Sequence, residues 1–380
     1  MKLTDVVDRI NGNVDRFTTE LEYYIGGEHF ESNELEVTQK GLLKENLGKL
    51  GFKFHFAFQD RDVVFMARNP HLRKAGMVRF AGLCSDASYI LRSKDETVLS
   101  QEYLAVMLQS DHFWDYCESH KVGSVNFANN WSSIANYEFE LPTPEEQKEI
   151  SDKVWAAYRL KKSYKKLLAA TEEMVKSQFI EMFGNPLSQV QRYPLEKLGD
   201  CCVLNPRRPS ISLSDTDMVS FVPMPCVSEN GYLQDVADEE YGKVKKGFTY
   251  FENKDVLFAK ITPCMENGKG AIAQELTNGI GMGSTEFHVL RPIEGKSNSY
   301  WLLALTRMPI FREQASKNMS GTGGQKRVGA SFLDNFMVGL PPIEEQNRFE
   351  RIYRQADKSG FELRKSIEAI DQVIKSLINS

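Results

Sequence analysis

One motif occurs twice, as Leu141-Pro142-Thr143-Pro144-Glu145-Glu146-Gln147 and as Leu340-Pro341-Pro342-Ile343-Glu344-Glu345-Gln346, at an offset of 199 residues. In a chain of 380 residues that offset means two copies of one unit, so any fold must be one that a second copy can repeat. An apolar pattern with alternating four- and three-residue steps follows each motif. It comprises Ile150, Val154, Ala157, Tyr164, Leu168 and Val175 after the first, and Phe349, Tyr353, Ala356, Leu363, Ile367, Ile370, Ile374 and Leu377 after the second. The two patterns keep register at the same offset, with Lys161, Thr171, Gln178 and Gly360 as interruptions.

The first helix has both a start and a stop in its sequence. Thr143 is the expected N-cap, Pro144 suits the first helical position, and Glu146 completes a capping box. Phe183-Gly184-Asn185-Pro186 ends it, with a residue tolerant of left-handed geometry and then a proline. Pro342 replaces the threonine in the second copy, which makes that cap weaker.

The globular parts repeat more faintly. Lys2-Leu3-Thr4-Asp5 matches Lys197-Leu198-Gly199-Asp200, Asp62-Val63-Val64-Phe65 matches Asp255-Val256-Leu257-Phe258, and Tyr89-Ile90-Leu91-Arg92 matches His288-Val289-Leu290-Arg291. Short β-branched or aromatic runs bounded by Gly, Pro and Asn are expected to be strands. Amphipathic stretches around Gln101 to Tyr116 and Ser299 to Gln314 read as helices. The expectation is an α+β chain of two tandem mixed α/β domains, separated by two long helices that form an antiparallel coiled coil, with a pseudo-two-fold repeat. Its expected parts are a first domain at 1–140, a first helix at 141–184, a second domain at 185–339 and a second helix at 340–380. Approximate two-fold symmetry of this kind matches the relation between the strands of B-DNA.

Charge qualifies that match. The net charge is -5, and residues 1–140 carry 15 Lys and Arg against 21 Asp and Glu, while the rest of the chain is close to neutral. Affinity for a phosphate backbone needs clustered cations, so it has to come from a concentrated basic face or from a partner. The six cysteines (Cys84, Cys117, Cys201, Cys202, Cys226 and Cys264) include no Cys-x-x-Cys pair and no histidine spaced for zinc, so no metal site is expected. No apolar run approaches the length of a membrane span, no targeting segment opens the chain, and a cytoplasmic location is expected.

Catalytic motifs are absent as well. Asn69-Pro70-His71, Asn185-Pro186-Leu187 and Asn205-Pro206-Arg207 lack the second proline and aromatic residue of an adenine methyltransferase loop and read as turns. Gly279-Ile280-Gly281-Met282-Gly283 lacks dinucleotide-binding spacing, and Gly321-Thr322-Gly323-Gly324-Gln325-Lys326 lacks the spacing and terminal hydroxyl of a phosphate-binding loop. No enzyme activity is expected of this chain.

Over essentially its whole length the sequence resembles the specificity (S, HsdS) subunit of type I restriction-modification systems. The resemblance rests on the paired Leu-Pro-x-x-Glu-Glu-Gln entries to long helices together with Tyr24-Ile25-Gly26-Gly27-Glu28-His29-Phe30-Glu31-Ser32. Leu72-Arg73-Lys74, Gly82-Leu83-Cys84-Ser85 and the run from Gly283 through Ser284, Thr285, Glu286 and Phe287 to Pro292 add to it. It implies two target-recognition domains, each reading one half of an asymmetric bipartite site in double-stranded DNA, and two helices that act as a spacer and dock two methyltransferase (M) subunits. Restriction (R) subunits can join them. S-adenosylmethionine, ATP and Mg then belong to partner subunits, with no cofactor in this chain. The competing reading is a coiled-coil adaptor that holds two protein-binding domains apart.

Candidate DNA contacts are the polar and basic residues on expected loops. The first half offers Arg68, Arg73, Lys74, Arg79 and Asn126. The second offers Arg207, Arg208, Lys260, Lys269, Gln325, Lys326 and Arg327, with Lys243, Lys245 and Lys246 as further cations. Arginine can bridge guanine edges or clamp phosphate, and lysine mainly neutralises charge. The glycines of Ser320 to Arg327 permit close backbone approach and make this the best local candidate.

Overall fold

Strand formation begins where the sequence repeats. In a computed structural model describing residues 1–124, 127–186, 192–322 and 324–379, Asp62-Val63-Val64-Phe65 and Tyr89-Ile90-Leu91-Arg92 contribute to neighbouring antiparallel strands, Val63–Met66 and Ser88–Ser93. All four residues of Val63–Met66 are buried, as expected of a strand covered on both faces. Val63 and Phe65 point into one apolar cluster, and Val64 and Met66 into another. Val7–Ile10 and Ala75–Val78 flank this pair, and Glu36–Val37 closes the sheet at one edge. A second sheet has the order Gly41–Leu42, Tyr23–Ile25, Gly82–Ser85, Phe54–Phe58, and its central pair is parallel.

The chain divides into two compact units, Met1–Lys166 with Leu363–Ser380, and Leu167–Glu362. Unit 2 repeats the same plan. Cys202–Leu204, Phe287–Pro292, Val256–Ala259 and Gly270–Ile272 form one sheet, and Ala237–Glu240, Met218–Val222, Ile280–Gly283 and Thr249–Glu252 the other, again with a parallel central pair. The repeated Asp and Arg of the strand motifs are partners. Arg92 holds Asp62 in a bidentate pair at 2.8 and 2.9 Å, and Arg291 holds Asp255 at 2.8 Å through both nitrogens. Each aspartate also accepts a backbone N–H, from Gln59 or Glu252, so a buried carboxylate is satisfied in both units.

Each amphipathic stretch expected as a helix is two helices. Gln101–Met107 and Asp111–Ser119 are separated where Ser110 turns extended and caps the second helix through Phe113 N. Ser299–Arg307 and Pro309–Lys317 break at Pro309, which occupies a first helical position. These helices cover one face of the first sheet of their unit. Phe113 and Trp114 pack with Phe65 in unit 1, and Trp301 and Phe311 with Phe258 in unit 2.

The two long helices run Pro144–Phe183 and Ile343–Ile378, pair antiparallel, and contribute a segment of each to both units. The expected cap is present, with Thr143 N donating to Glu146 and Glu146 N to Thr143 Oγ1. Gly184, at φ +82°, follows the last turn and donates to Ile180 O at 2.8 Å. Every residue of the apolar pattern is buried or half-buried. Within unit 2, however, Phe179 and Phe183 make the ring contacts with Phe349, at 5.5 and 5.4 Å, and neither belongs to the pattern read from sequence. A straight α-helix drifts by roughly 20° per heptad, which moves the buried face off the repeat towards its end.

Lys161, which interrupts the apolar pattern in sequence, anchors a group of helix lysines that pair with the globular part. Lys161 is buried, with Nζ 2.8 Å from Glu34 and 2.6 Å from Asp371. Lys162 pairs with Glu36 at 2.6 Å and Lys165 with Glu34 at 2.8 Å. Carboxylates more than 120 residues away in sequence draw these cations onto the globular part of unit 1.

The glutamine that ends each repeated motif explains why the motif recurs. Gln147 is buried, accepts from Ser100 N at 3.0 Å and donates to Val98 O and Pro142 O at 2.8 and 2.9 Å. Gln346 is also buried, accepts from Asn298 N at 3.0 Å and donates to Lys296 O and Pro341 O at 2.9 Å. Ser100 and Asn298 cap the helices that follow them, so each glutamine fastens the start of a long helix to the N-cap of a domain helix.

Candidate nucleic-acid interface

In unit 2 the glycine-rich stretch is stapled to the end of Val256–Ala259. Thr262 N donates to Lys326 O at 3.0 Å, Thr262 Oγ1 to Gly324 O at 2.6 Å, and Lys326 N to Thr262 Oγ1 at 3.1 Å. Arg327 forks onto Glu286 with contacts of 2.8 to 3.1 Å, which hold that carboxyl below its ordinary pKa. Beneath this contact Val328 O can only accept, so the 2.9 Å bond makes His288 Nε2 its donor and leaves Nδ1 to accept from Asn205 Nδ2 at 3.1 Å. Burial lowers the pKa of His288 and favours this neutral tautomer. At Gly321, φ +132°, a Cβ would lie 2.5 Å from Gln325 O, so the tight turn requires glycine.

This fastening fixes the backbone and leaves exposed side chains. Gln325 and Lys326 point to solvent, and the half-buried Lys260 lies beside them, its charge felt by Glu286 and with no ion pair among the described residues. Arg207 is exposed two residues beyond Asn205. The other cations expected here have partners: Arg208 reaches Lys245 O, Lys243 pairs with Glu240 at 3.2 Å, Lys245 with Asp215 at 2.6 Å, and Lys269 donates to Met224 O at 3.4 Å. Lys246 stays exposed.

In unit 1 the counterpart of the glycine-rich stretch includes Asn126, which lies outside the described residues. Arg68 is exposed, and its backbone bridges to Ala128 as that of Ile261 does to Arg327 in unit 2. The remaining candidates are drawn into the fold. Arg73 pairs with Asp111, Lys74 donates to Gly27 O at 2.7 Å, and Arg79 pairs with Glu36 at 3.2 Å with its guanidinium 5.4 Å from the Trp155 ring. Sequence reading groups these with Arg68 because their partners lie about 40 residues or more away, at separations local spacing does not reveal. The loop is also positioned by Thr262, Asn205 and His288, which no motif marked as site residues. Glu286 was within reach, since it sits inside the motif ending at Pro292.

Residues 197–372 match the family model described as the type I restriction modification DNA specificity domain. Over 189 residues the chain is 35% identical to the specificity subunit of the type I restriction enzyme EcoEI of Escherichia coli, covering 48% of this chain and 31% of that protein. It is 37% identical over 178 residues to the corresponding EcoAI subunit of Escherichia coli, covering 45% of this chain and 30% of that one. The chain therefore spans less than a third of the length of these curated relatives. Among solved structures, the type I restriction-modification S subunit from M. genitalium superposes with a TM-score of 0.55 at 10% identity, covering 100% of this chain and 94% of that one. A chain from a structure concerned with complex assembly and conformational transition of the type I R-M system gives 0.53 at 16%, covering 100% and 95%. Identities this low speak to fold alone. Residues 197–372 thus carry the mark of a type I specificity domain, and over about half of its length the chain is similar to type I restriction enzyme specificity subunits.

Proposed function

We propose that the chain is the DNA-recognition subunit of a type I restriction-modification complex, with each unit reading one half of a split, asymmetric target. The observation that carries this reading is duplication of a rigid frame with divergent loops on it. The Asp–Arg strand pairs and the glutamine fasteners recur in both units, whereas the loop equivalent to Gln325 and Lys326 differs. Glutamine can hydrogen-bond an adenine edge in the major groove, and arginine and lysine can meet guanine or phosphate. Arg68, Arg207, Lys260, Gln325 and Lys326 are the contacts this reading favours.

Two methyltransferase subunits dock on the long helices, and restriction subunits join where the system has them. Exposed Leu167 and Met174, one heptad apart in unit 2, support docking, because an apolar pair on a solvent-facing helix gains by accepting another helix. In this reading the chain performs no catalysis. S-adenosylmethionine, ATP and Mg act in the partner subunits, and the complex works in the cytoplasm. No helix among the described residues is long and apolar enough to cross a membrane.

The test is co-expression with a partner methyltransferase followed by methylome sequencing. A bipartite methylated motif that depends on this chain is the expected outcome, and exchange of residues 1–140 for those of a relative should change one half of it. Failure to support any sequence-specific methylation would leave the adaptor reading standing, and a change in both halves after one exchange would refute the division of labour.

A further inference from the structure

Each unit carries an exposed phenylalanine at the same place in its fold. In unit 1 the strand Gly41–Leu42 leads into the short helix Leu43–Asn46, then a turn ending in Gly51-Phe52, then the strand Phe54–Phe58. In unit 2 Ala237–Glu240 leads into Tyr241–Val244, a turn ending in Gly247-Phe248, and the strand Thr249–Glu252. Phe52 is 80% exposed and Phe248 41%. Isolated exposed apolar side chains are ordinary. Recurrence at equivalent positions in two units whose surfaces have otherwise diverged is not.

Both turns are built alike. Arg16 donates to Leu50 O, at 2.8 Å, and to Gly51 O, and Arg208 donates to Lys245 O. An arginine from the segment between the first strand of one sheet and the central pair of the other thus clamps the carbonyls of each turn. In unit 1 the Arg16 guanidinium also lies 4.8 Å from the ring of Phe17, itself 67% exposed. The surroundings are basic. Residues 40–53 carry four lysines and one acidic residue, inside a half whose net charge is negative, and residues 243–248 carry three lysines and no acidic residue. Lys53, Lys243 and Lys245 are taken up by Asp86, Glu240 and Asp215. Lys44, Lys49 and Lys246 are exposed and form no ion pair among the described residues.

We propose that the Gly51-Phe52 and Gly247-Phe248 turns are paired DNA-contact tips. The ring enters a groove and lies against a base or sugar, and the lysines beside it neutralise the flanking phosphates. Proteins that deform DNA use apolar wedges of this kind, and an aromatic face accepts any base. The tips rest on the DNA-recognition reading above. They supply the concentrated basic face that the acidic first half otherwise lacks.

The experiment measures the affinity of the complete complex with its methyltransferase for a duplex carrying the methylated motif. It compares wild type with Phe52→Ala, Phe248→Ala and the conservative Phe52→Trp and Phe248→Trp. Each alanine variant should bind roughly tenfold more weakly or worse, tryptophan should restore binding, and the melting temperature should stay unchanged for Phe52→Ala, whose ring is 80% exposed. Lys49→Ala and Lys246→Ala should each reduce the salt dependence of binding by about 0.9 in log–log slope. Alanine variants that bind within twofold of wild type overturn the proposal, as do variants that lose the methyltransferase instead of the DNA. Absence of binding by wild type sinks the recognition reading and the tips with it, and that result is visible without any variant.

Discussion

Lys161 shows how much of a residue's role depends on its distant neighbours. From sequence it is a polar break in an apolar pattern, yet in the fold it ties Glu34 and Asp371 together. Burial pushes the Glu34 carboxyl up, but hydrogen bonds from Lys161 and Lys165 outweigh it and hold the group below its ordinary range. A carboxylate with a depressed folded pKa stabilises fully above its unfolded value of about 4.3, and the contribution disappears as pH falls through the folded value. Lys161→Met should therefore cost unit 1 roughly 3 kcal/mol at neutral pH, and the deficit should shrink below about pH 4. Urea unfolding at both pH values checks this, and an equal deficit at both would contradict it. The thiols give a second test. Burial pushes Cys84 and Cys202 up to about 12 and Cys201 to about 11, and Cys264 is the one cysteine that is not buried. One rapid equivalent of a disulfide reagent per folded chain is expected, and two or more would show that a buried site opens. The same limit applied to the DNA candidates. Arg68 and Arg73 look alike in sequence, and only the fold reveals that Asp111 has claimed one of them.

Elements were more legible than residues because their signals are local. The capping box at Thr143, the stop at Gly184 and the strands around Val63 and Val256 depend on residues within a few positions of one another. The breaks at Ser110 and Pro309 also had local signals, which an uninterrupted amphipathic period concealed. The glutamine fasteners were visible as a repeat and opaque as a mechanism, since their partners lie nearly 50 residues upstream. Replacing Gln147 by Leu strands Ser100 N and the Val98 and Pro142 carbonyls in a buried site, at a cost of roughly 2 kcal/mol. Gln346→Leu should cost about the same. Each change should lower the transition of its own unit only, as followed by hydrogen exchange. Loss of protection in both units from one substitution would mean that they unfold as one.

At the scale of the molecule, the repeat read from two seven-residue motifs proved to extend to sheet order, ion pairs and cap contacts in both units. What stayed hidden was the division of the chain. Expected boundaries treated the long helices as separate parts, whereas each unit includes a segment of both. The cause is packing: Ile370, Ile374, Leu377 and Ile378 join a core whose other members all precede residue 159. That arrangement sets an order on synthesis. A ribosome that has delivered residue 362 has supplied the whole of unit 2, while unit 1 still waits for its closing helix. The copy encoded first is completed last, so a chain cut short after residue 362 would be damaged in the first unit and intact in the second.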